Sequence, residues 1–344
     1  MSLKKHLINA LVGTAIAAVP ATALTSCDLI YTDLEPCTQG VELRFIYDYN
    51  MEFANAFPAQ VDCLTLLVYD GAGKYLATHT VTDRSLLSDE DWRMQLRLDP
   101  GEYRFIAYGG MACENASFEF TSPSRAIPAL LSDLEVAMKP GLLGGQDGKP
   151  LHNLFYGQGT MTIAKTDTDY RRTTIYMIKD TNNLRVLLAN ADGTSLASDD
   201  FDFTLTDDNT LLGWDNAIIP TQTVTYTPWT SGNALGGITV TGDPIYMPFA
   251  EISTSRIVTA STARLTVTRK SQGTNVLSIP LAKTLLLLRS QQYESMADQE
   301  FLDRNSEWRL IFFIDEQGNW MDANIVINDW DVRINDIDDM GALD

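Results

Sequence analysis

The apolar residues of this chain recur with a period of two, in runs too short for helices, and nearly every run ends in a Gly, Pro, Asn or Asp cluster. Between Trp92 and Leu98, the Trp, Met and two Leu side chains fall on one face and Arg93, Gln95 and Arg97 on the other. Phe201, Phe203 and Leu205 alternate in the same way, as does the start of Val41–Asp48. Successive side chains of a strand point to opposite faces, so this pattern marks half-buried strands. No heptad, long amphipathic helix or short-period repeat interrupts it. The expectation is an all-β protein.

Turn chemistry divides the runs. Leu64–Tyr69 and Tyr75–Val81 flank Asp70-Gly-Ala-Gly73, a hairpin signal. Asp99-Pro-Gly101 precedes Tyr103–Tyr108, and Gly109-Gly110 closes that run. Thr174–Lys179 and Leu184–Leu188 flank Asp180-Thr-Asn-Asn183, which reads as another hairpin turn. Gln272-Gly273 joins Arg264–Thr268 to Val276–Leu281, and Arg309–Ile314 with Ile325–Ile327 forms a last pair around Gly318. Helical character is confined to Leu130–Leu134 and Asp298–Asp303. Residues 121–153, with four prolines and Gly144-Gly145, read as looser chain. Strands at this spacing predict two tandem Ig-like β-sandwiches, 40–166 and 167–335, with the joint at the polar residues Asp167, Asp169, Arg171 and Arg172. Residues 336–344 form an acidic tail.

Residues 1–26 have the layout of an export signal: Lys4 and Lys5, an apolar stretch rich in small residues, then Leu24-Thr-Ser-Cys27. The last four residues resemble a bacterial lipobox. They predict cleavage between Ser26 and Cys27, acylation of the Cys27 sulfur, and a tether over 27–39. Each buried acyl methylene contributes ~0.8 kcal/mol, so several chains on one cysteine hold a protein durably on a bilayer. The chain has a formal charge of −20, and loss of Lys4 and Lys5 with the signal, which contains no acid, takes it to −22. That charge excludes an electrostatic grip on nucleic acid. It also repels an anionic lipid surface, so attachment has to be covalent. Three further cysteines, Cys37, Cys63 and Cys113, allow one disulfide in an exported protein. Spacing does not select the pair. A Cys37–Cys63 or Cys37–Cys113 bond would tie the tether to the first sandwich, and three reduced thiols are the alternative.

Little here points to chemistry. The acidic pairs Asp199-Asp200, Asp207-Asp208 and Asp338-Asp339 suit solvated loops, and no spacing matches a calcium loop. Neither a metal site nor a cofactor is expected. A Ser/His/Asp apparatus would need His79 or His152, and no Gly-x-Ser-x-Gly elbow exists. Gly157-Gln-Gly159 reads as a bend. Trp92, Trp308, Trp320 and Trp330 fall in strand-like runs and suit a core. Trp214 and Trp229 lie in a Thr/Asn/Gly/Pro-rich stretch and are candidates for a sugar platform, which makes a surface glycan-binding lipoprotein the alternative reading.

Six stretches, in order over most of the chain, carry a resemblance: Leu43–Met51, Val61–Asp70, Leu98–Gly110, Asp180–Val186, Asp298–Arg304 and Ile327–Arg333. Together they resemble the FimB-type fimbrium-anchoring lipoproteins of type V pili. The resemblance implies two transthyretin-like sandwiches, no catalysis, no cofactor, fimbrial stalk subunits as partners and a lipid-anchored place at the outer membrane. Cys27 is the one functional residue it transfers. Stalk subunits of such pili lose the leading strand and its lipid to a protease that cuts after Arg, and they polymerise by strand addition. Residues 28–43 contain neither Lys nor Arg, and the first basic residue, Arg44, lies in a predicted strand. The lipid is therefore expected to stay, and the protein to terminate the fimbrium or regulate its length. Two features fit less well: Asp28 retains lipoproteins in the inner membrane of some bacteria, and Ile334, Ile337, Met340 and Leu343 recur every third residue, unlike a donor strand.

Overall fold

The alternation at Val41–Asp48 becomes strand β1 (Gly40–Ile46), and its two partners set the architecture of the first half. The computed structural model describes residues 39–121, 126–315, 320–327 and 330–334. Strand β1 pairs antiparallel with β4 (Met94–Arg97) and parallel with β9 (Tyr170–Lys179). With β2 (Leu64–Asp70), β3 (Tyr75–Val81), β5 (Gly101–Gly109) and β8 (Phe155–Ile163) they form a seven-stranded sheet in the order β3-β2-β5-β8-β9-β1-β4. Both faces of its middle are covered. Leu64, Leu66 and Val68 join one core with Phe105, Ile175 and Leu43, while Leu67 and Tyr69 join another with Ile106 and Tyr108. This is why β2 reads as a continuous apolar run instead of an alternating one.

A second sheet runs β14 (Thr230–Ile238), β15 (Pro244–Ser255), β10 (Thr181–Asn190), β18 (Glu307–Ile314), β19 (Trp320–Ile327) and β20 (Trp330–Ile334). At its centre β10 and β18 are parallel, the same device as β1 with β9. Parallel neighbours need a long crossover, which local turn signals do not reveal. A four-stranded sheet, β13 (Val224–Tyr226), β11 (Phe201–Asp207), β16 (Arg264–Arg269) and β17 (Thr274–Pro280), supplies the facing layer. Leu184, Val186 and Leu310 share its core with Phe203, Leu265 and Val267, each such side chain contributing ~1.5–3 kcal/mol by burial. Between the halves lies a three-stranded sheet of β6 (Phe118–Phe120), β7 (Glu135–Met138) and β12 (Leu211–Gly213). It takes strands from both: Leu211 opposes Ala137. Leu67, Tyr108, Val136 and Leu212 thereby belong to the same core as Leu184 and Phe203, and the described residues pack as one unit. Helices are short: α1 (Phe57–Gln60), α2 (Arg84–Leu87), α3 (Leu281–Leu286) and α4 (Asp298–Arg304).

The hairpins expected at Asp70–Gly73, Gln272-Gly273 and after Ile314 are present as β2–β3, β16–β17 and β18–β19. The hairpin expected at Asp180–Asn183 is not. Strands β9 and β10 enter different sheets, and the chain crosses from one to the other between Lys179 and Thr181, downstream of the joint read at residue 167. The polar joint is no boundary: Asp167 and Asp169 precede β9, Arg171 and Arg172 lie within it, and β9 stays with the first sheet. Trp92 lies between a turn and β4, not in a strand, and stacks on Phe45 at 6.0 Å. Cys63 is bonded to Cys113 with Cα atoms 5.6 Å apart. The pairing register selects this bond: Leu64 opposes Gly109, and Gly110 N–H donates to the Cys63 carbonyl at 3.0 Å. The Cys37 links and the three-thiol alternative are thus replaced, and Cys37 itself lies outside the described residues.

Candidate functional site

Cys27 and Ser26, the expected lipidation and cleavage residues, also lie outside the described residues, as do Asp28 and all of the tail beyond Ile334. Arg44, the first basic residue after the signal, is within β1 and paired opposite Thr174 of β9, with its Nε buried. A strand held in a sheet cannot enter a protease cleft without local unfolding.

The point where the chain changes sheets is held by buried charge. Asp180 is fully buried; its N–H donates to the Leu154 carbonyl at 2.8 Å, and its Oδ1 accepts from Asn216 Nδ2 at 2.8 Å. Arg256, just after β15, reaches Asp303 of α4 with two bonds, Nε to Oδ1 at 3.0 Å and Nη2 to Oδ2 at 2.8 Å. Its Nη1 donates to the Asn216 carbonyl at 2.6 Å, and its Nε lies 3.9 Å from Asp180 Oδ1. Burial pushes the Asp180 carboxyl up to about 7, against the pull of Arg256 and the Asn216 bond. Burial lowers Arg256, but the Asp303 bonds and the Asp180 charge outweigh it and leave the guanidinium above its ordinary value. Nearby, Arg304 of α4 sits over the rings of Tyr49 (4.1 Å) and Phe53 (4.5 Å) and donates to the carbonyls of Asp48 and Asn50. Sequence reasoning missed this cluster because each member looks like a loop or helix-surface residue on its own.

The described sheets end in open edges, and these differ in character. Strand β4 is four residues long and carries Arg97; β13 has three residues. The head of β3 is already engaged, since Tyr75 N–H donates to the Ala129 carbonyl and Leu131 N–H to the Gly73 carbonyl. Strand β14 is nine residues of Thr, Ser, Gly, Asn, Ala, Leu and Ile. Leu235 (64 % exposed), Ile238 (71 %) and Tyr246 (44 %) stand open on the β14–β15 arm.

The other candidates resolve differently. Trp214 and Trp229 are half-buried, Trp214 packs against the core, and its carbonyl accepts from the Tyr156 hydroxyl. His79 is half-buried in β3. His152 Nε2 is 3.7 Å from Asp62 Oδ2, but Ser117 Oγ accepts from the His152 backbone N–H instead of meeting the ring. That is not the geometry of a base activating a nucleophile. Among the described residues, no group of three or more His, Cys, Asp or Glu is placed to hold a metal, and no helix is long and apolar enough to cross a membrane.

The described residues thus define a multi-sheet β protein with one long, uncharged edge strand, β14. Residues 34–336 match the family of fimbrillin-A associated anchor proteins Mfa1 and Mfa2, and the chain belongs to that family, a non-enzymatic structural one. It is 46% identical to a "putative adhesin" from Bacteroides thetaiotaomicron, covering 88% of this chain and 100% of that one, with a TM-score of 0.81. A second B. thetaiotaomicron structure, described under "putative polysaccharide binding proteins", is 30% identical over 86% of this chain and 98% of that one, at a TM-score of 0.71. The fimbrial anchor protein Mfa2 from Porphyromonas gingivalis shares the fold, with a TM-score of 0.61 and 15% identity over 86% of this chain and 99% of that one. No curated protein sequence matches. The family associates with fimbrial subunits and fits a cell-surface, outer-membrane setting.

Proposed function

We propose that this protein is a lipid-held terminal subunit: Cys27 is acylated, residues 28–39 tether the body to the outer membrane, and the body engages the adjacent pilin by β-strand addition and so stops or limits fimbrium growth. The two halves act as two transthyretin-like sandwich lobes, joined at Asp180 and sharing core. The observation that carries this reading is the lack of any Lys or Arg between residues 28 and 43, with Arg44 paired into β1. A stalk subunit must be clipped there to expose its groove; a chain that cannot be clipped keeps its lipid and ends the polymer. The test is digestion of the folded, membrane-bound lipoprotein with an Arg-specific protease. The body is expected to stay with the membrane, and release of an intact body would reject the reading.

The relative described as polysaccharide-binding favours a second reading, glycan capture at Trp214 and Trp229. Their half-burial favours the first. Loss of sugar binding on replacing both tryptophans, with fimbriae still attached, would support the second.

A further inference from the structure

We propose that the outer edge of β14 receives an extended, uncharged strand of the neighbouring fimbrial subunit. The proposal rests on the anchoring reading and adds to it the surface and the chemistry of its occupant.

An edge strand presents a row of unpaired N–H and C=O groups, and proteins usually guard it with brevity, Lys or Pro. Strand β14 pairs with β15 on one side and has no strand on the other among the described residues. It is nine residues long and contains no charge and no Pro. Its one guard is a bulge at Leu235/Gly237, which leaves Thr230–Leu235 as a regular template. The flanking sequence is equally bare. Between Asp215 and Glu251, Asp243 is the sole charged residue, in a chain whose net charge is −20.

Gly237 sits at that bulge. Its φ lies outside the left-handed region, and a Cβ there would meet nothing within 4 Å. The fold itself therefore does not require glycine. Glycine in a strand goes with a bulge or with close approach of another backbone, and at this bulge it leaves the edge open to one. Beside it, Leu235 faces Tyr246 across the arm, and Ile238 stands exposed, so an incoming strand finds apolar contacts at alternate positions.

Charge selects the occupant. Ser198 N–H donates to Asn233 Oδ1 at 2.9 Å, which brings the exposed acids Asp199 and Asp200 beside β14, and Asp243 lies at the tip. A second copy docked edge to edge would set this acidic rim against its own and bring two strongly negative bodies together. A foreign strand, apolar at alternate residues and flanked by Lys or Arg, meets both the bare edge and the rim.

The test uses the full-length lipoprotein, expressed in cells lacking the native copy, with the cells' own fimbriae as the probe. Gly237→Val adds bulk where the fold has room, and the pair Leu235→Lys with Ile238→Lys charges the edge; Leu76→Lys on β3 is the control edge. Thermal melting and membrane fractionation establish that each variant is folded and delivered. The β14 variants are expected to hold about tenfold fewer fimbriae on the cell, with the remainder shed, while Leu76→Lys holds the wild-type number. Deletion that sheds fimbriae while folded β14 variants hold them normally would overturn the edge and leave the anchoring reading standing. Shedding by Leu76→Lys in place of the β14 variants would move the site to β3 and also overturn it. A wild-type body that dimerises in solution, and loses that on Leu235→Lys, would put a second copy on the edge. Fimbriae retained after deletion would overturn the anchoring reading itself.

Discussion

Replacing Asp180 by Asn turns the buried charge at the sheet crossover into a measurable slope. Asp180 has no exposed surface, and burial raises its carboxyl to about 7 despite Arg256 and Asn216. In the unfolded chain the same group titrates near ~3.9. Between those values the folded state binds more protons than the unfolded one, so stability falls as pH rises. The contribution is fully present below about pH 4 and is lost as pH passes about 7. At ~1.4 kcal/mol per pH unit, the whole span is worth ~4 kcal/mol. Asn keeps the shape and the acceptor for Asn216 but has no proton to lose. Urea unfolding of wild type and Asp180→Asn from pH 4 to pH 8 should give two stabilities whose difference grows by ~4 kcal/mol in favour of the variant as pH rises. Any constant cost of an amide at that site shifts the curves without altering this slope, and carboxylates common to both proteins cancel. A difference independent of pH would refute the reasoning, because Asp180 would then have to ionise as easily inside as in water.

Other consequences can be read from single changes. Cys63→Ser with Cys113→Ser opens a loop spanning a sequence separation of 50 and should lower stability by ~4 kcal/mol, seen as a shifted denaturant midpoint that reductant reproduces in the wild type. Arg304→Ala removes the cation from the rings of Tyr49 and Phe53 and the donors to two carbonyls, and should cost ~1–3 kcal/mol and open residues 48–54 to chymotrypsin, with cleavage at Phe53 mapped by mass spectrometry. Phe312→Ala, at a fully buried position beside Trp320, should cost ~3–5 kcal/mol by thermal melting.

What the sequence made legible was local. Asp70–Gly73 and Gln272-Gly273 turn the chain because their residues supply the turn geometry themselves, and the flanking strands follow from period two. What stayed hidden depends on residues far apart. The parallel pairs of β1 with β9 and β10 with β18 leave no local mark. Asp180-Thr-Asn-Asn183 has turn composition, yet Arg256 and Asn216, well downstream, convert it into a buried crossover. The stretch around β14 gives a weak strand signal because its Gly, Asn and Pro residues are poor strand formers, although its lack of charge is plain in the sequence. The disulfide could not be chosen among Cys37, Cys63 and Cys113 until the register of β2 against β5 was known. The edge residues Leu235 and Ile238 follow the same logic: their identity was visible, their exposure was not.

The proposed anchoring depends on the sulfur of Cys27. Cells expressing Cys27→Ser in place of the native chain should release both this protein and their fimbriae into the medium, while wild-type cells keep both. Fimbriae that remain on Cys27→Ser cells in wild-type number would contradict it.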